Sequence, residues 1–284
     1  MAQSLMAYEW AVRLAVFSGV FVVMALWELG LPRRQLTVGR LGRWPGNLGI
    51  VAIDTVVVRV LFPTAAVGVA LVCEARGWGL LRWMSVPPGV ATVVSVLLLD
   101  LAIYLQHVMF HWVPALWRLH RMHHADLDID VSTGVRFHPI EIVLSMLIKF
   151  AVVAAIGAPA RAVLVFEVLL NATSMFNHSN VRMAPAIDRI VRRLVVTPDM
   201  HRVHHSIIRA ETDSNFGFNF PWWDRLFGTY RPQPAEGHLG MTIGIDLFRD
   251  PAELRLDRML AQPFRSDQGP LAAKVRDKTS PRHL

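Results

Sequence analysis

The chain contains long apolar runs separated by polar segments, a pattern typical of helices that cross a membrane. The first run covers residues 5–31, the second 47–72 and the third 89–111. Each is longer than the roughly 20 helical residues needed to span the hydrocarbon core of a bilayer. The pattern therefore predicts three membrane-spanning helices within residues 1–110.

Two shorter apolar runs follow, from residue 137 to 156 and from residue 161 to 178. They are separated by Gly157, Ala158 and Pro159, which favour a turn. Residues 139–178 are therefore predicted to form a helical hairpin that either crosses the membrane twice or inserts only partly. Both arrangements return the chain to the side from which the hairpin starts.

The remaining segments are polar. Residues 111–138 connect the third span to the hairpin, and residues 179–262 are rich in Arg, Asp and Pro. Both segments are predicted to form a cap outside the membrane. Residues 263–284 are polar and are expected to be disordered.

The distribution of positive charge predicts the orientation of the bundle. Arg33, Arg34, Arg40 and Arg43 lie in a short loop between the first two runs, and such loops tend to stay in the cytoplasm. The amino terminus is then outside, and the predicted crossings bring the polar segments to the cytoplasmic face. The predicted fold is an all-α, multi-pass transmembrane helical bundle with a cytoplasmic, histidine-rich cap. A bacterial inner membrane is favoured over the endoplasmic reticulum.

Composition supports a membrane protein. Hydrophobic residues make up 53% of the chain, charged residues 18%, and the mean hydropathy is +0.37. The net charge of +7 would suit nucleic acid, but Lys and Arg flank the apolar runs, where such residues contact lipid head groups. We therefore expect no nucleic-acid partner. Cys73 is the single cysteine, which excludes an intramolecular disulfide and a cysteine-based metal site.

Histidine is concentrated in three short clusters, one of the form H-x-x-x-H and two of the form H-R-x-H-H. Residues three and four apart share a face of a helix, so the rings of one cluster can converge. Neutral imidazole binds zinc, copper, iron or nickel. The clusters hold more imidazoles than one ion can use, which predicts a cap that binds two metal ions. Their members are His107 and His111, then His120, His123 and His124, then His201, His204 and His205.

These motifs, in this order and spacing, resemble the fatty acid hydroxylase and sterol desaturase superfamily of integral-membrane di-iron oxygenases. The resemblance covers about residues 107–230. Beyond the histidine clusters it rests on Phe137-His138-Pro139, on F-N-H-S-N at 176–180, on Thr197-Pro198 before the last cluster and on W-D-R-L-F-G-T-Y at 223–230.

The resemblance implies two iron ions, for which zinc can substitute in purified protein, with dioxygen as co-substrate. It also implies a lipid or sterol-like substrate that is hydroxylated or desaturated. Electrons would come from a separate donor protein, of ferredoxin or cytochrome b5 type with its reductase. No catalytic side chain is expected beyond the metal centre. The implied metal ligands are His107, His111, His120, His123, His124, His178, His201, His204 and His205.

Four further residues are candidates for positions near the metals. His138 could be a tenth ligand, but a hydrogen-bonding role behind the ligands or a helix-capping role is favoured. Asp100 lies two helical turns before His107, and Asp126 follows the second cluster, so each could accept a hydrogen bond from a ligating imidazole. Asn215 matches a family position without an evident ligand role.

Other positions complete the predictions. Some relatives carry a histidine four residues before His178, where this chain has Ser174, and this departure leaves a coordination position open. Lys149 and Glu167 fall near the middle of the two hairpin arms and could pair. The histidines near the carboxyl terminus, His238 and His283, are expected to be solvated.

Two other functions remain open. The same histidines could serve a metal-binding or metal-transporting membrane protein without oxygenase activity, although transport favours ligands throughout the depth of the spans. A lipid-binding protein without catalysis is the second alternative, which complete histidine clusters disfavour. The sequence favours the oxygenase. It does not separate hydroxylation from desaturation, because both begin with the same hydrogen abstraction.

Overall fold

The computed structural model describes residues 8–266, whose regular secondary structure is helical apart from two isolated β-bridges. The predicted all-α fold is confirmed. The helices are α1 (Glu9–Gly30), α2 (Arg40–Leu61), α3 (Ala65–Arg76), α4 (Leu80–Trp83), α5 (Pro88–Trp112), α6 (Pro114–His124), α7 (Pro139–Ile156), α8 (Ala160–Asn177), α9 (Pro185–Val191), α10 (Pro198–His204), α11 (Arg209–Thr212), α12 (Trp222–Leu226), α13 (Gly237–Gly240) and α14 (Leu256–Ala261).

Four helical stretches of the described chain are long and apolar enough to cross a membrane. They are α1, the stretch Arg40–Trp83 that contains α2 to α4, α5 and α7. The protein is therefore an integral membrane protein. α8, the second arm of the hairpin, packs against α1, α3 and α5 and is more deeply buried than α7.

The second predicted span is not one continuous helix. The sequence predicted a single helix over residues 47–72, but α2 ends at Leu61 and α3 begins at Ala65. Pro63 lies between them. Proline lacks a backbone N–H and disfavours helical geometry in the residue before it, so the helix ends there and restarts.

The hairpin of α7 and α8 forms the core of the bundle together with α3 and α5. Its apolar side chains, among them Val153 and Phe166, pack in one cluster. The expected pair is present, because Lys149 Nζ donates to Glu167 Oε1 at 2.7 Å, and Arg13 of α1 adds a second bond to Glu167 at 2.6 Å. These contacts fix α1 and α7 to α8, the helix that ends directly before His178.

The basic segment after α1 is shorter and less exposed than predicted. α2 begins at Arg40, so Arg43 belongs to the helix and not to a loop. The Arg43 guanidinium is fully buried and bonds Asp126 at 2.7 Å and Asp130 at 2.6 Å. Arg33 and Arg40 also have carboxylate partners within the protein. Pairing with buried acids, and not membrane topology alone, accounts for these arginines.

The last described residues lie against α6. Arg118 Nε donates to the carbonyl of Pro263 at 2.8 Å, and a 3-10 turn covers Gln262–Phe264. The polar segment that was predicted to be disordered begins at residue 263, and residues 267–284 of it lie outside the described part of the chain.

Candidate metal centre

Four elements bring the nine predicted histidines together at one end of the bundle. α5 carries His107 and His111, α6 carries the second cluster, α10 and the residue after it carry the third, and His178 follows α8. All nine are buried. They form two groups in which the ligand atoms lie within 4.8 Å of one another: His107, His111, His120, His124 and His204, and His123, His178, His201 and His205.

Helix periodicity explains how each H-R-x-H-H cluster serves both groups. Residues four apart share a helix face, so His120 and His124 enter the first group and His201 and His205 enter the second. The remaining member of each cluster joins the other group: His123 lies in the second group and His204 in the first. The two clusters therefore exchange one histidine each, which ties the two groups together.

Six of the nine imidazoles donate a hydrogen bond from Nδ1 to a protein oxygen. A carbonyl oxygen only accepts, so in the four rings that face a carbonyl the proton lies on Nδ1 and the lone pair of Nε2 is free. Such partners orient histidine ligands in metal sites. The pairs are His107 with Phe216 O (2.7 Å), His123 with Arg136 O (3.0 Å), His178 with Ser174 O (2.7 Å), His204 with Ser214 O (2.7 Å), His111 with Asp213 Oδ1 (3.3 Å) and His120 with Glu141 Oε1 (2.7 Å).

Several Nε2 atoms face one another at close range. The Nε2 atoms of His107 and His120 are 3.1 Å apart, and His178 Nε2 is 3.1 Å from both His123 Nε2 and His201 Nε2. His123 and His178 both hold their proton on Nδ1, so their facing Nε2 atoms oppose two lone pairs, which repel. Neighbouring ligands bonded at about 2.1 Å to one ion lie about 3.0 to 3.4 Å apart. The spacing therefore fits metal binding.

Further buried ring nitrogens of the nine histidines have no hydrogen-bond partner. They are His111 Nε2, His201 Nδ1, His204 Nε2 and both nitrogens of His124 and of His205. Buried polar atoms nearly always have partners in folded proteins. A metal ion would satisfy several of these nitrogens at once.

The imidazoles outside the membrane-spanning helices are held neutral. Burial lowers the pKa of His120 and of His178 to about 3. Burial, together with repulsion from neighbouring imidazoles, lowers the pKa of His124, His204 and His205 well below the usual 6.5. Neutral imidazole is the form that binds metals, so these groups need to lose no proton on binding at neutral pH.

Asn215 positions two of the carbonyls behind the ligands. It lies between Ser214 and Phe216 and adopts a φ of 52°, a left-handed conformation that asparagine tolerates better than most residues. Its Nδ2 donates to the carbonyls of Met200, at 2.9 Å, and Arg231, at 2.8 Å. Asn215 thereby ties the 214–216 segment to α10 and contacts no imidazole itself.

Two carboxylates that the sequence reasoning did not single out contact the site. Glu141 lies in the first turn of α7 and accepts from His120, and Asp213 accepts from His111. In the sequence, Pro139 marks a helix start and thereby places Glu141 in a first turn, but nothing there indicates its contact with His120. For Asp213 the sequence offers no comparable signal.

His138 and Asp100 have structural roles. His138 belongs to neither histidine group of the described residues, and its Nδ1 accepts from Ile140 N at 3.2 Å as the N-cap of α7. Asp100 accepts from Trp223 Nε1 at 2.8 Å and from Asn219 N at 3.3 Å. It therefore fixes the segment around α12 and does not contact His107 directly.

Asp126 is engaged with Arg43 and not with an imidazole. Asn47 Nδ2 and Thr133 Oγ1 also donate to Asp126 Oδ2, at 3.2 and 2.9 Å. The positive charges of Arg43 and Arg136 keep the pKa of Asp126 below its usual value despite burial. This ion-pair network lies under the second cluster and supports the loop that follows it.

The structure also corrects one prediction about the remaining histidines. His238 is 5% exposed and lies 3.6 Å from Asp199, so the expectation that it is solvated was wrong. It lies on α13, which packs against α10. His283 lies outside the described residues. Ser174, the departure from the family pattern, donates from Oγ to the carbonyl of Gly134 at 2.6 Å.

A cavity of about 630 Å³ adjoins the first histidine group. His107 and His120 line one end of it, beside Phe110, Phe137 and Phe218. From there it extends between α1, α2, α5, α7 and α8 into the membrane-spanning region. Its size is that of a pocket for a drug-sized ligand. Its walls are mostly apolar, which suits an alkyl chain or a ring system, and they also include Arg13, Lys149 and Glu167.

The fatty acid hydroxylase family model matches residues 92–229. An ornithine lipid hydroxylase of Rhizobium tropici is 30% identical over 159 residues, covering 55% of this chain and 47% of that protein. Alkylglycerol monooxygenases of Homo sapiens and Xenopus tropicalis are 29% and 28% identical, each over 52% of this chain and 32% of the relative. The chain thus matches about half of the first relative's length and about a third of the others'. No solved structure matches the chain significantly.

Proposed function

We propose, from the match of residues 92–229 to the fatty acid hydroxylase family model, that the chain belongs to this family and is a membrane-bound di-iron oxygenase. It hydroxylates or desaturates a lipid or sterol-like substrate with dioxygen and externally supplied electrons. The observation that carries the proposal is the pair of histidine groups, with Nε2 atoms that face one another at 3.1 Å, beside a cavity whose walls are mostly apolar.

The donor set fits two iron ions. Five neutral imidazoles converge in the first group and four in the second, so each group offers enough nitrogen ligands for one ion. Iron bound there supplies the reduction of dioxygen and the abstraction of hydrogen from an unactivated C–H bond. Zinc accepts the same nitrogen ligands and is the expected substitute in purified protein.

The protein's own residues prepare the site for this chemistry. Carbonyl and carboxylate oxygens hold six imidazoles with Nε2 turned inward, as described above. Phe110, Phe137 and Phe218 line the cavity together with His107 and His120 and would form the wall against which an alkyl chain rests. The substrate then reaches the site from within the membrane, because the cavity extends among the spanning helices.

The relatives support a lipid substrate, since one acts on ornithine lipids and others on alkylglycerols. The identity of the lipid, the position that is oxidised and the choice between hydroxylation, desaturation and ether cleavage depend on residues outside the shared segment as well as within it. We further propose that a separate ferredoxin or cytochrome b5 type protein supplies electrons. The amino terminus would lie outside and the metal centre in the cytoplasm of a bacterial cell.

The competing function is metal binding or transport without oxygenase activity. The same nine histidines would hold the ion. They collect at one end of α5 and α8, whereas the cavity walls deeper in the membrane carry the paired charges of Arg13, Lys149 and Glu167. Ligands spaced along the spans, as a transport path would require, are not what this arrangement offers.

Oxygen consumption separates the two functions. Purified protein is loaded with ferrous iron, supplied with a chemical reductant and tested in an oxygen electrode with and without a lipid extract. We expect lipid-dependent oxygen uptake in the iron-loaded protein. Zinc content without such uptake after iron loading, together with zinc flux into vesicles, would support the alternative and remove the oxygenase.

A further inference from the structure

We propose that one side of the predicted cytoplasmic cap is immersed in lipid. The residues concerned are 185–194, around α9, and 218–227, around α12, which together are called the lateral segment here. The geometry that points to this is the place where the lateral segment meets the bundle. Trp223 Nε1 donates to Asp100 Oδ2 at 2.8 Å, and the ring of Phe227 stacks on that of Tyr104 with centroids 5.4 Å apart.

The position of Asp100 and Tyr104 on α5 sets the depth of these contacts. α5 has 25 residues, and the hydrocarbon core takes about 20 of them. A 20-residue stretch of α5 can run at the earliest from Pro88 to His107 and at the latest from Val93 to Trp112. Asp100 and Tyr104 lie inside the hydrocarbon core in either case. Asp100 is seven residues from His107 and from Val93, which corresponds to about 10 Å from either boundary at 1.5 Å per residue.

The two parts of the lateral segment are joined to each other. Trp222 Nε1 donates to the carbonyl of Arg193, and Arg225 Nη2 donates to the carbonyl of Arg192, each at 2.8 Å. α9 therefore moves with α12, which is itself fixed to α5. α12 therefore lies beside the spanning helix at membrane depth, and α9 is held to α12.

The outward surface of the lateral segment is apolar, as lipid contact requires. Large hydrophobic side chains there are exposed by about half or more of their surface, with one somewhat less exposed. Six such residues clustered on two adjoining elements form a patch of the kind that marks an interaction site. They are Ile187 (55%), Ile190 (64%), Leu194 (60%), Trp222 (39%), Leu226 (68%) and Phe227 (52%).

The irregular backbone at residues 216–219, which leads into the second part of the lateral segment, has hydrogen-bond partners within the protein. Asp224 accepts from the amides of Phe216, at 2.8 Å, and Gly217, at 2.9 Å, and Asp100 accepts from Asn219 N. Non-helical backbone is tolerated at membrane depth only when the protein itself pairs its polar groups. This gives the W-D-R run a physical role, because its aspartate replaces water as the partner of those amides.

Charged groups on the lateral segment fit the edge of a bilayer. Arg189 and Arg193 are exposed beside the apolar patch, where long basic side chains can reach lipid phosphates. The Arg225 guanidinium instead lies over the ring of Tyr230, 4.9 Å from its centroid. The partner of this surface is therefore the phospholipid bilayer that already surrounds α5, with which the patch is continuous.

Fluorescence quenching in vesicles tests this placement. Ile190→Cys and Leu226→Cys are each labelled with an environment-sensitive fluorophore in full-length protein reconstituted into phosphatidylcholine vesicles. Asp257→Cys is the control, because the Asp257 side chain is 65% exposed on α14, away from the patch. Cys73 is buried, so the parent protein serves as the labelling blank. Each label is exposed to aqueous iodide and, separately, to lipids that carry a nitroxide on the acyl chain.

We expect the labels on the Ile190→Cys and Leu226→Cys variants to lose fluorescence to the lipid nitroxide and to resist iodide. The label on the Asp257→Cys variant should behave in the opposite way. Iodide quenching at either patch position that equals the control overturns the proposal. This outcome bears only on membrane placement and leaves the proposed oxygenase chemistry untouched, because neither label contacts a histidine of the site.

Discussion

The contact between Glu141 and His120 gives the sharpest test of how the protein supports its metal centre. His120 Nδ1 donates to Glu141 Oε1 at 2.7 Å, and both side chains are almost fully buried, at 2% and 5% exposure. A carboxylate behind a histidine ligand fixes the ring and makes Nε2 a stronger donor to metal. Glu141→Gln keeps the size and the acceptor but removes the charge, and Glu141→Leu removes both.

The structure predicts the size of the effect. Loss of a partner behind a ligand costs about 10- to 100-fold in metal affinity, or about 1.4 to 2.7 kcal/mol. We expect Glu141→Gln near the lower end and Glu141→Leu near the upper end. The matched control is Asp213→Asn. The bond from His111 to Asp213 is longer, at 3.3 Å, and the Asp213 side chain is 28% exposed, so its loss should cost about 1 kcal/mol or less.

The assay is a competition titration of cobalt or zinc against a chelator of known affinity, in detergent-solubilised protein. Circular dichroism establishes that each variant remains helical. Affinity should fall in the order parent, Asp213→Asn, Glu141→Gln, Glu141→Leu. Equal metal affinity in the parent and both Glu141 variants would refute the reasoning, because Glu141 would then not act through His120.

Three further predictions follow from the same geometry. His123→Ala should lower the bound metal from two ions to one per chain, measured by elemental analysis, whereas His138→Asn, which keeps a capping side chain on α7, should retain both. Asn215→Ala should lower the unfolding free energy by about 2 to 4 kcal/mol through backbone strain and lost hydrogen bonds. Asn215→Gly should lower it by less, since glycine accepts the φ of 52°. Thermal unfolding compares the two variants with the parent, and equal melting temperatures would contradict the role assigned to Asn215. The metal-free protein should lose stability as the pH falls from about 6.5 towards 3, because unfolded imidazoles gain protons near pH 6.5 while the pKa of His120 and of His178 in the folded protein is about 3. Circular dichroism against pH follows this loss, and stability that is constant between about pH 7 and 4 would contradict it.

The sequence predicted which histidines converge better than it predicted the hydrogen-bond partners behind their rings. Histidines at helical spacing have few roles, so the clusters alone predicted convergence, and α5 and α6 realise it. The hydrogen-bond partners behind the rings were not predictable in the same way. Four of them are backbone carbonyls, among them those of Ser214 and Phe216, and any residue type supplies a carbonyl.

The apolar pattern predicted the helices but not how the polar segments pack around them. Pro63 indicates a break in the second predicted span, but the apolar pattern continues across it and predicts one helix. Arg43 was taken as a loop residue, since the sequence does not reveal that Asp126 and Asp130 lie beside it. The polarity of residues 179–262 suggested a cap wholly in water, although the link from Trp223 to Asp100 brings part of it to the depth of α5.

The central claim is that the histidine centre inserts oxygen into, or removes hydrogen from, a membrane lipid. Its most direct test is lipid mass spectrometry of cells that express the parent chain or the His123→Ala variant, grown under isotopically labelled dioxygen. We predict a lipid that is formed only with the parent chain and that either carries the heavy oxygen or has lost two hydrogens. Identical lipid profiles in the two strains, with the parent protein shown to hold iron, would contradict the account.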